Sequence, residues 1–397
     1  MRKIYLDNAA TTPVGREVVL AMKKYWRKDF GNPSSIHSLG VSTQKAVEKA
    51  RGEIAGFLNA HAREIIFTSG GTEANNLAIF GTVKKLLKSG KKPEEIHAIT
   101  TKIEHSSILE CFKEIEEMGV KVDYLEVSSE GLVDPKDLRE LIKKETAIIS
   151  IGYANGEIGT VQPVKEIIKE IRHARKEFGR ERVDYPYFHT DASQAVQYLN
   201  TNVEELGVDL MTLDAQKMYG PKGIGALFVK DNVNISPIVL GGGQEDGMRA
   251  GTENVPLIVG FAKAFEISER IKEKEVNRLA ELRDGFFDEV KKSTSSVVIN
   301  GHLENMLPNN INISIPDKDG EFIVLQLDEA GIIASSASAC TSGSGESYVV
   351  REISSVSGAS LEEVDTRAKS TIRFSLGRDI KRRHIRYLLK VLFKICK

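Results

Sequence analysis

Between residues 65 and 230, short apolar runs alternate with stretches of helical periodicity, and nothing else in the chain restricts its fold so strongly. EIIFTS, HAITT, VKVDYLEV and TAIISIGYA are each followed by a helical pattern, starting near Thr72, His105, Asp134 and Pro163, and YPYFHTDA closes the series. Strands joined by helical crossovers run parallel, so this alternation predicts an α/β layered domain. In such sheets ligands collect beyond the carboxyl ends of the strands. TSGGT, TKIEH, YANGE, HTDASQ and LDAQK all fall there, which brings five polar turns together.

Other patterns frame the alternation. Residues 14–28 and about 41–58 have helical periodicity, broken between them by GNPSSIH. Beyond GGGQEDGMRAGT (241–252) the alternation stops. A long amphipathic helix over about 256–291 leads into VVING, NINISIP, a helix over 320–330, a Ser/Gly-rich loop, TIRFSL and a basic terminal helix. That mixture reads as a second, α+β domain. The expected division is an arm (1–13) packed with the small domain, a large domain (14–256) and a small C-terminal domain (257–397). A net charge of −1 offers no basic field for nucleic acid, and no apolar run is long enough to span a membrane. MRKIYLDNAATT lacks the apolar core of a signal peptide. Three cysteines, Cys111, Cys340 and Cys396, form no paired framework and have no metal-ligand spacing. A reducing cytoplasm and a site without metal are therefore expected.

The residues that could carry chemistry lie in the polar turns. LDAQKMYGPKGIG reads as a glycine- and proline-punctuated turn between two buried strands, with Lys217 and Lys222 at its mouth. A lysine at a dry strand end loses preference for its charged form and attacks carbonyls. Asp191 ends the strand in HTDASQ, where a buried carboxylate needs a cationic partner such as a protonated pyridine nitrogen. Gln194 lies three residues on, within reach of a ring hydroxyl. Ser69 to Thr72 (SGGT) joins a strand to a helix, a natural phosphate seat. His105 shares the strand-end face and could stack on a ring. Cys340 lies in SSASACTSGSGES, a small-residue loop where a thiol is accessible. Arg373, among apolar residues of a predicted strand, requires a carboxylate, to which its planar fork is suited. A nucleophilic lysine, a carboxylate for a ring nitrogen and a phosphate seat are what pyridoxal phosphate chemistry demands.

With these residues assembled, the chain resembles the cysteine desulfurases of the NifS/IscS type, within the fold-type-I pyridoxal phosphate enzymes. The likeness runs through YLDNAATTP, GNPSSIHSLG, FTSGGTEANNLA, EHSSIL, NGEIGTVQP, HTDASQA, KMYGPKGIGAL, GGGQEDGMRAGT, SSASACTSGS and IRFSLGR, in family order. The resemblance implies a mainly parallel seven-stranded sheet flanked by helices, plus a smaller α+β domain. It implies that Lys217 carries pyridoxal 5'-phosphate, that Asp191 pairs the ring nitrogen, that Gln194 contacts the ring oxygen and that His105 stacks on the ring. Gly71, Thr72 and Gln216 fall at phosphate-binding positions, as does Thr252, which in the family reaches across a homodimer interface. Asn155 and Arg373 match the positions that hold the substrate carboxylate, Asn155 lying among the cofactor contacts as well. Cys340 matches the nucleophile that accepts sulfur, on a long loop that swings to a partner. The implied reaction converts L-cysteine to L-alanine and a persulfide on Cys340, for an iron–sulfur scaffold or another sulfur-acceptor protein, or for tRNA or cofactor thiolation.

Three family positions differ. A serine usually stands three residues before the lysine and a histidine directly before it; here they are Asp214 and Gln216. An anion beside a phosphate is repulsive unless it turns away or is neutralised, which predicts weaker cofactor retention or a compensating donor. The usual Asn-Asn pair is Asn155-Gly156, leaving open whether Asn155 reaches the substrate or shapes the turn. Two further readings are a selenocysteine lyase or other β-eliminating enzyme, and a cofactor-poor carrier or scaffold.

Overall fold

The computed structural model describes residues 3–180, 185–293, 297–336 and 345–396. Strand β1 (Ile4–Tyr5) precedes helices α1 (Arg16–Met22) and α2 (Ser38–Leu58). Then come β2 (Ile65–Thr68), α3 (Gly71–Lys88), β3 (His97–Thr101), α4 (Ser106–Glu117), β4 (Lys121–Leu125) and α5 (Pro135–Leu141). They are followed by β5 (Thr146–Ser150), α6 (Val164–Glu177), β6 (Tyr187–Asp191), α7 (Val203–Leu206), β7 (Leu210–Asp214) and β8 (Gly225–Val229). The remainder holds α8 (Val255–Ser293), β9 (Val298–Ile299), β10 (Asn310–Ser314), α9 (Gly320–Glu329) and β11 (Ile332–Ile333). It ends with α10 (Tyr348–Ser355), α11 (Leu361–Lys369), β12 (Thr371–Ser375) and α12 (Arg382–Ile395).

Seven strands form one sheet in the order β2-β8-β7-β6-β5-β3-β4. Neighbours from β4 through β7 are parallel, whereas β8 runs antiparallel to both β7 and β2. The expected mainly parallel sheet is thus present. Strand β8 is reversed because the link from β7 is a turn, too short for a crossover helix. Central strands β5 and β7 are buried at every position, as a sheet covered on both faces requires. The β7–β8 register, Asp214 opposite Gly225, places the start of β8 between the end of β7 and the end of the edge strand β2, which delivers the chain into α3. Only glycine fits there: a side chain on Gly225 would begin 2.8 Å from the Gly70 Cα.

Helix α8 lies against α1, α2 and α12. Its inner face is aromatic, with Phe265 stacked on Phe57 at 5.3 Å between ring centres. A smaller antiparallel sheet, β12-β10-β9, adjoins, and β1 pairs in parallel with β11. The arm therefore crosses the sites of later strands, and Asp7 bridges to Ser375 of β12. The helix expected over 14–28 is shorter: α1 ends at Met22 and gives way to a tighter 3-10 turn over Lys23–Trp26, none of whose residues is buried. Among the described residues no helix is long and apolar enough to cross a membrane.

Candidate active site

The strand ends open onto a cavity of about 250 Å³ lined by Gly71, Thr72, His105, Asn155, Asp191, Gln194, Gln216, Lys217 and Arg373. These residues come from widely separated turns, and the parallel topology is what gathers them. Thr252 is exposed on the loop before α8 and does not line this cavity. Cys340 lies outside the described residues. Lys222 is exposed on the β7–β8 turn and is not part of the lining.

Lys217 ends a one-turn 3-10 helix directly after β7. Its Nζ donates to the carbonyls of Ala9 (2.9 Å) and Ala10 (2.8 Å), so the N-terminal arm forms its cradle. Gln194 is fixed by the same arm, donating from Nε2 to the Ala9 carbonyl at 2.9 Å. Asp191 is the last residue of β6. Its Oδ1 accepts from the Ser193 amide and its Oδ2 from Asn75 Nδ2, both at 2.9 Å. On the same strand His189 is wholly buried between Ser150 and Thr212. Burial lowers its pKa to about 4 against the pull of Asp191, so it is a neutral spacer at physiological pH.

His105 lies four residues past the end of β3 at Thr101 and caps α4. Its Nδ1 accepts from the Ser107 amide (3.1 Å) and lies 2.8 Å from Ser107 Oγ. Asn75 Nδ2 donates to that same Ser107 Oγ at 2.8 Å. Asp191, Asn75, Ser107 and His105 therefore form one hydrogen-bonded chain. Asn75 and Ser107 were missed by sequence reasoning. The signal available for Asn75 was its place three residues after Thr72, on the same face of a helix.

Arg373 is almost wholly buried on β12. It donates from Nη2 to Asp7 Oδ1 (2.9 Å) and from Nη1 to the Gly156 carbonyl (3.2 Å). The carboxylate it requires is thus supplied from the arm. Asn155 is largely committed to its turn: Oδ1 accepts from the amides of Glu157 (2.8 Å) and Ile158 (3.0 Å), and Nδ2 donates to the Ile103 carbonyl (2.8 Å). One Nδ2 hydrogen remains for a ligand. Glu104, also in the lining, is held by Thr101 Oγ1 (2.8 Å) and the Gly152 amide (2.9 Å). Burial pushes its carboxyl up to about 7.

Gly70, the residue before α3, offers no side-chain cap and leaves the first amides of the helix for a ligand. Asp214, at the end of β7, does not turn away from this end. Its Oδ1 accepts from the Gln216 amide (3.2 Å) and its Oδ2 from Gln216 Nε2 (3.1 Å). Gln216 Oε1 in turn accepts from Thr11 Oγ1 at 3.3 Å.

The chain belongs to the aminotransferase class-V family, whose description matches residues 4–388. Its relatives there are cysteine desulfurases. The cysteine desulfurase IscS of Dictyoglomus turgidum is 46% identical over 395 residues, 99% of this chain and 94% of that protein. Cysteine desulfurase IscS 1 of Archaeoglobus fulgidus is 41% identical over 388 residues, 98% of this chain and 95% of its own. A solved NifS-like protein superposes with a TM-score of 0.87 at 32% identity, covering 99% of both chains. A structure of SspA in complex with cysteine has a TM-score of 0.78 at 34% identity, covering 94% of this chain and 98% of that one.

Proposed function

We propose that this chain is a cysteine desulfurase that uses pyridoxal 5'-phosphate to take sulfur from L-cysteine, leaving L-alanine. The observation that carries the reading is the convergence of Lys217, Asp191 and the uncapped end of α3 on one cavity. The residues fit the cofactor. Among the described residues, Ser193 Oγ, Asn75 Oδ1 and Arg373 Nε are buried without hydrogen-bond partners, three polar atoms around a cavity that a polar occupant could satisfy.

When bound, the cofactor supplies an aldehyde for an amine and a ring that takes up an electron pair from Cα. Lys217 would hold the aldehyde through Nζ. The same Nζ would also carry the Cα proton of the substrate, and the carbonyls of Ala9 and Ala10 would hold it in range. Asp191, fixed by Asn75 and Ser193, would keep a proton on the ring nitrogen. His105 would cover the ring face, and the amides of Gly71 and Thr72 would take the phosphate. Arg373 would bind the substrate carboxylate through its fork, shared with Asp7. Cys340 would accept the sulfur as a persulfide, a role that the resemblance of SSASACTSGS to the family motif implies.

The reading extends to a homodimer in which Thr252 reaches the partner's cavity, to the cytoplasm as compartment and to an iron–sulfur scaffold or other sulfur-acceptor protein as recipient. It also places a boundary between large and small domains near the start of α8. Exposed Trp26, Phe30 and Ile36 support a dimer, since the segment holding them leaves large apolar side chains in solvent.

The test is a visible absorption spectrum of the purified protein before and after L-cysteine, with alanine and persulfide measured. A yellow band that shifts with cysteine and is lost in Lys217→Ala is expected, with persulfide lost in Cys340→Ser. A Cys340→Ser variant with full activity on cysteine would favour the β-eliminating alternative. No band even after added cofactor would favour the carrier.

A further inference from the structure

The N-terminus of α3 is an unusual place for an anion to bind in this chain. Two side chains converge on the point where a Gly71 side chain would begin: Ser193 Oγ at 3.2 Å and Asp214 Oδ2 at 3.4 Å. Asp214 is 6% exposed and is pinned by both donors from Gln216, so it cannot swing aside without breaking two hydrogen bonds. The Gln216 amide is by the same bond turned toward Asp214. The cations lining the cavity are Lys217 and Arg373, and Arg373 is paired with Asp7. Arg249, near the other side of the α3 turn, is paired with Glu73 at 2.9 Å. Ser193 Oγ, 8% exposed as a residue and without a partner, is the neutral donor left over at this point.

We propose that Asp214 sets cofactor specificity by opposing the phosphate, while Ser193 supplies a neutral donor that partly offsets it. A ligand phosphate would meet the helix amides on one side and a fixed carboxylate on the other. Like charges a few ångströms apart in a partly dry site repel strongly, and the helix end offers only a fractional positive charge in return. The phosphate then adds little to affinity, and the site distinguishes poorly between pyridoxal 5'-phosphate and pyridoxal. Asp214→Asn keeps the cap on the Gln216 backbone amide through its carbonyl oxygen, replaces the second oxygen with a donor and gives up the hydrogen bond from Gln216 Nε2. The inference rests on the proposed cofactor.

The experiment uses the full-length protein freed of cofactor and titrated by absorbance with pyridoxal 5'-phosphate and, separately, with pyridoxal. The readout is the ratio of the two affinities, which does not depend on turnover. In Asp214→Asn, and in Asp214→Ser as a second variant, the ratio is expected to rise at least roughly tenfold through tighter binding of the phosphorylated form, with pyridoxal unchanged. In Ser193→Ala it is expected to fall roughly fivefold. Inorganic phosphate should compete with pyridoxal 5'-phosphate more strongly in the Asp214 variants than in the parent. An unchanged ratio in both folded Asp214 variants overturns the role of Asp214, and an unchanged ratio in Ser193→Ala overturns that of Ser193, with the cofactor reading intact in either case. Failure of the parent and every variant to bind either aldehyde overturns the inference and the cofactor reading together.

Discussion

Glu104 carries the clearest consequence of a single residue's surroundings. Its carboxyl is raised from 4.5 to about 7, chiefly by burial. The folded state therefore keeps a proton that the unfolded state releases between those values. Stability from this group is fully present below the ordinary glutamate range and is lost as pH rises through about 7. The shift corresponds to on the order of 3 kcal/mol. Glu104→Gln should flatten the decline, matching the parent near pH 4.5 and exceeding it at pH 8, as measured by urea unfolding at the two pH values. Arg373 gives a second prediction. Replacing it with Lys keeps the charge and loses the fork, so KM for cysteine should rise roughly tenfold or more with the cofactor spectrum unchanged. At this scale the sequence was informative for the lysine, the strand-end aspartate and the arginine, because each is costly in an apolar setting. It was silent on Asp7, Asn75 and Ser107. Their roles arise from contacts with residues distant in the chain, such as Asp7 with Arg373, 366 positions away.

Among the elements, the mainly parallel sheet was legible because alternating strand and helix patterns leave few other arrangements. The turn before β8 was legible too, from its glycines and proline, whereas the antiparallel pairing of β8 with both β7 and β2 was read only from the structure. Helix ends were harder: α1 stops where burial stops, a property of tertiary packing that periodicity does not contain. Three of these elements depend on one buried ion pair. Asp209, just before β7, accepts from Arg175 of α6 and, at 2.9 Å, from the Phe188 amide of β6. Asp209→Ala would leave the guanidinium buried without its carboxylate, and should destabilise the protein by about 3–5 kcal/mol in denaturant unfolding. A methyl group in place of the α8 ring should act similarly: Phe265→Ala, which removes the partner of Phe57, should cost about 3–5 kcal/mol.

For the whole molecule, the proposed dimer can be tested apart from catalysis. Ile36 is 98% exposed in the single chain, and Trp26 and Phe30 lie near it in sequence. A charge there is compatible with a folded monomer but not with a buried interface. Ile36→Asp should halve the mass seen by sedimentation while leaving the single-chain circular dichroism unchanged. Thr252, exposed and remote from the cavity of its own chain, would then have no partner site to complete.

The N-terminal arm also has a consequence for the order of events during synthesis. Ala9 and Ala10, which hold Lys217, leave the ribosome about two hundred residues before it and long before β11 and β12. Yet the arm is anchored by Ile4 against Ile332, Tyr5 against Ile333 and Asp7 against β12. Until those late strands emerge, the cradle is fastened on one side only, by Thr11 and Thr12 to Gln216 and by the Ala9 carbonyl to Gln194, although the seven-stranded sheet is already complete. A growing chain would thus pass through a long interval with its reactive lysine made but its cradle only half anchored. Translation stalled beyond β8 should yield a folded sheet whose Lys217 reacts faster with small aldehydes than that of the full-length protein, because the arm's anchorage to β11 and β12 is still missing.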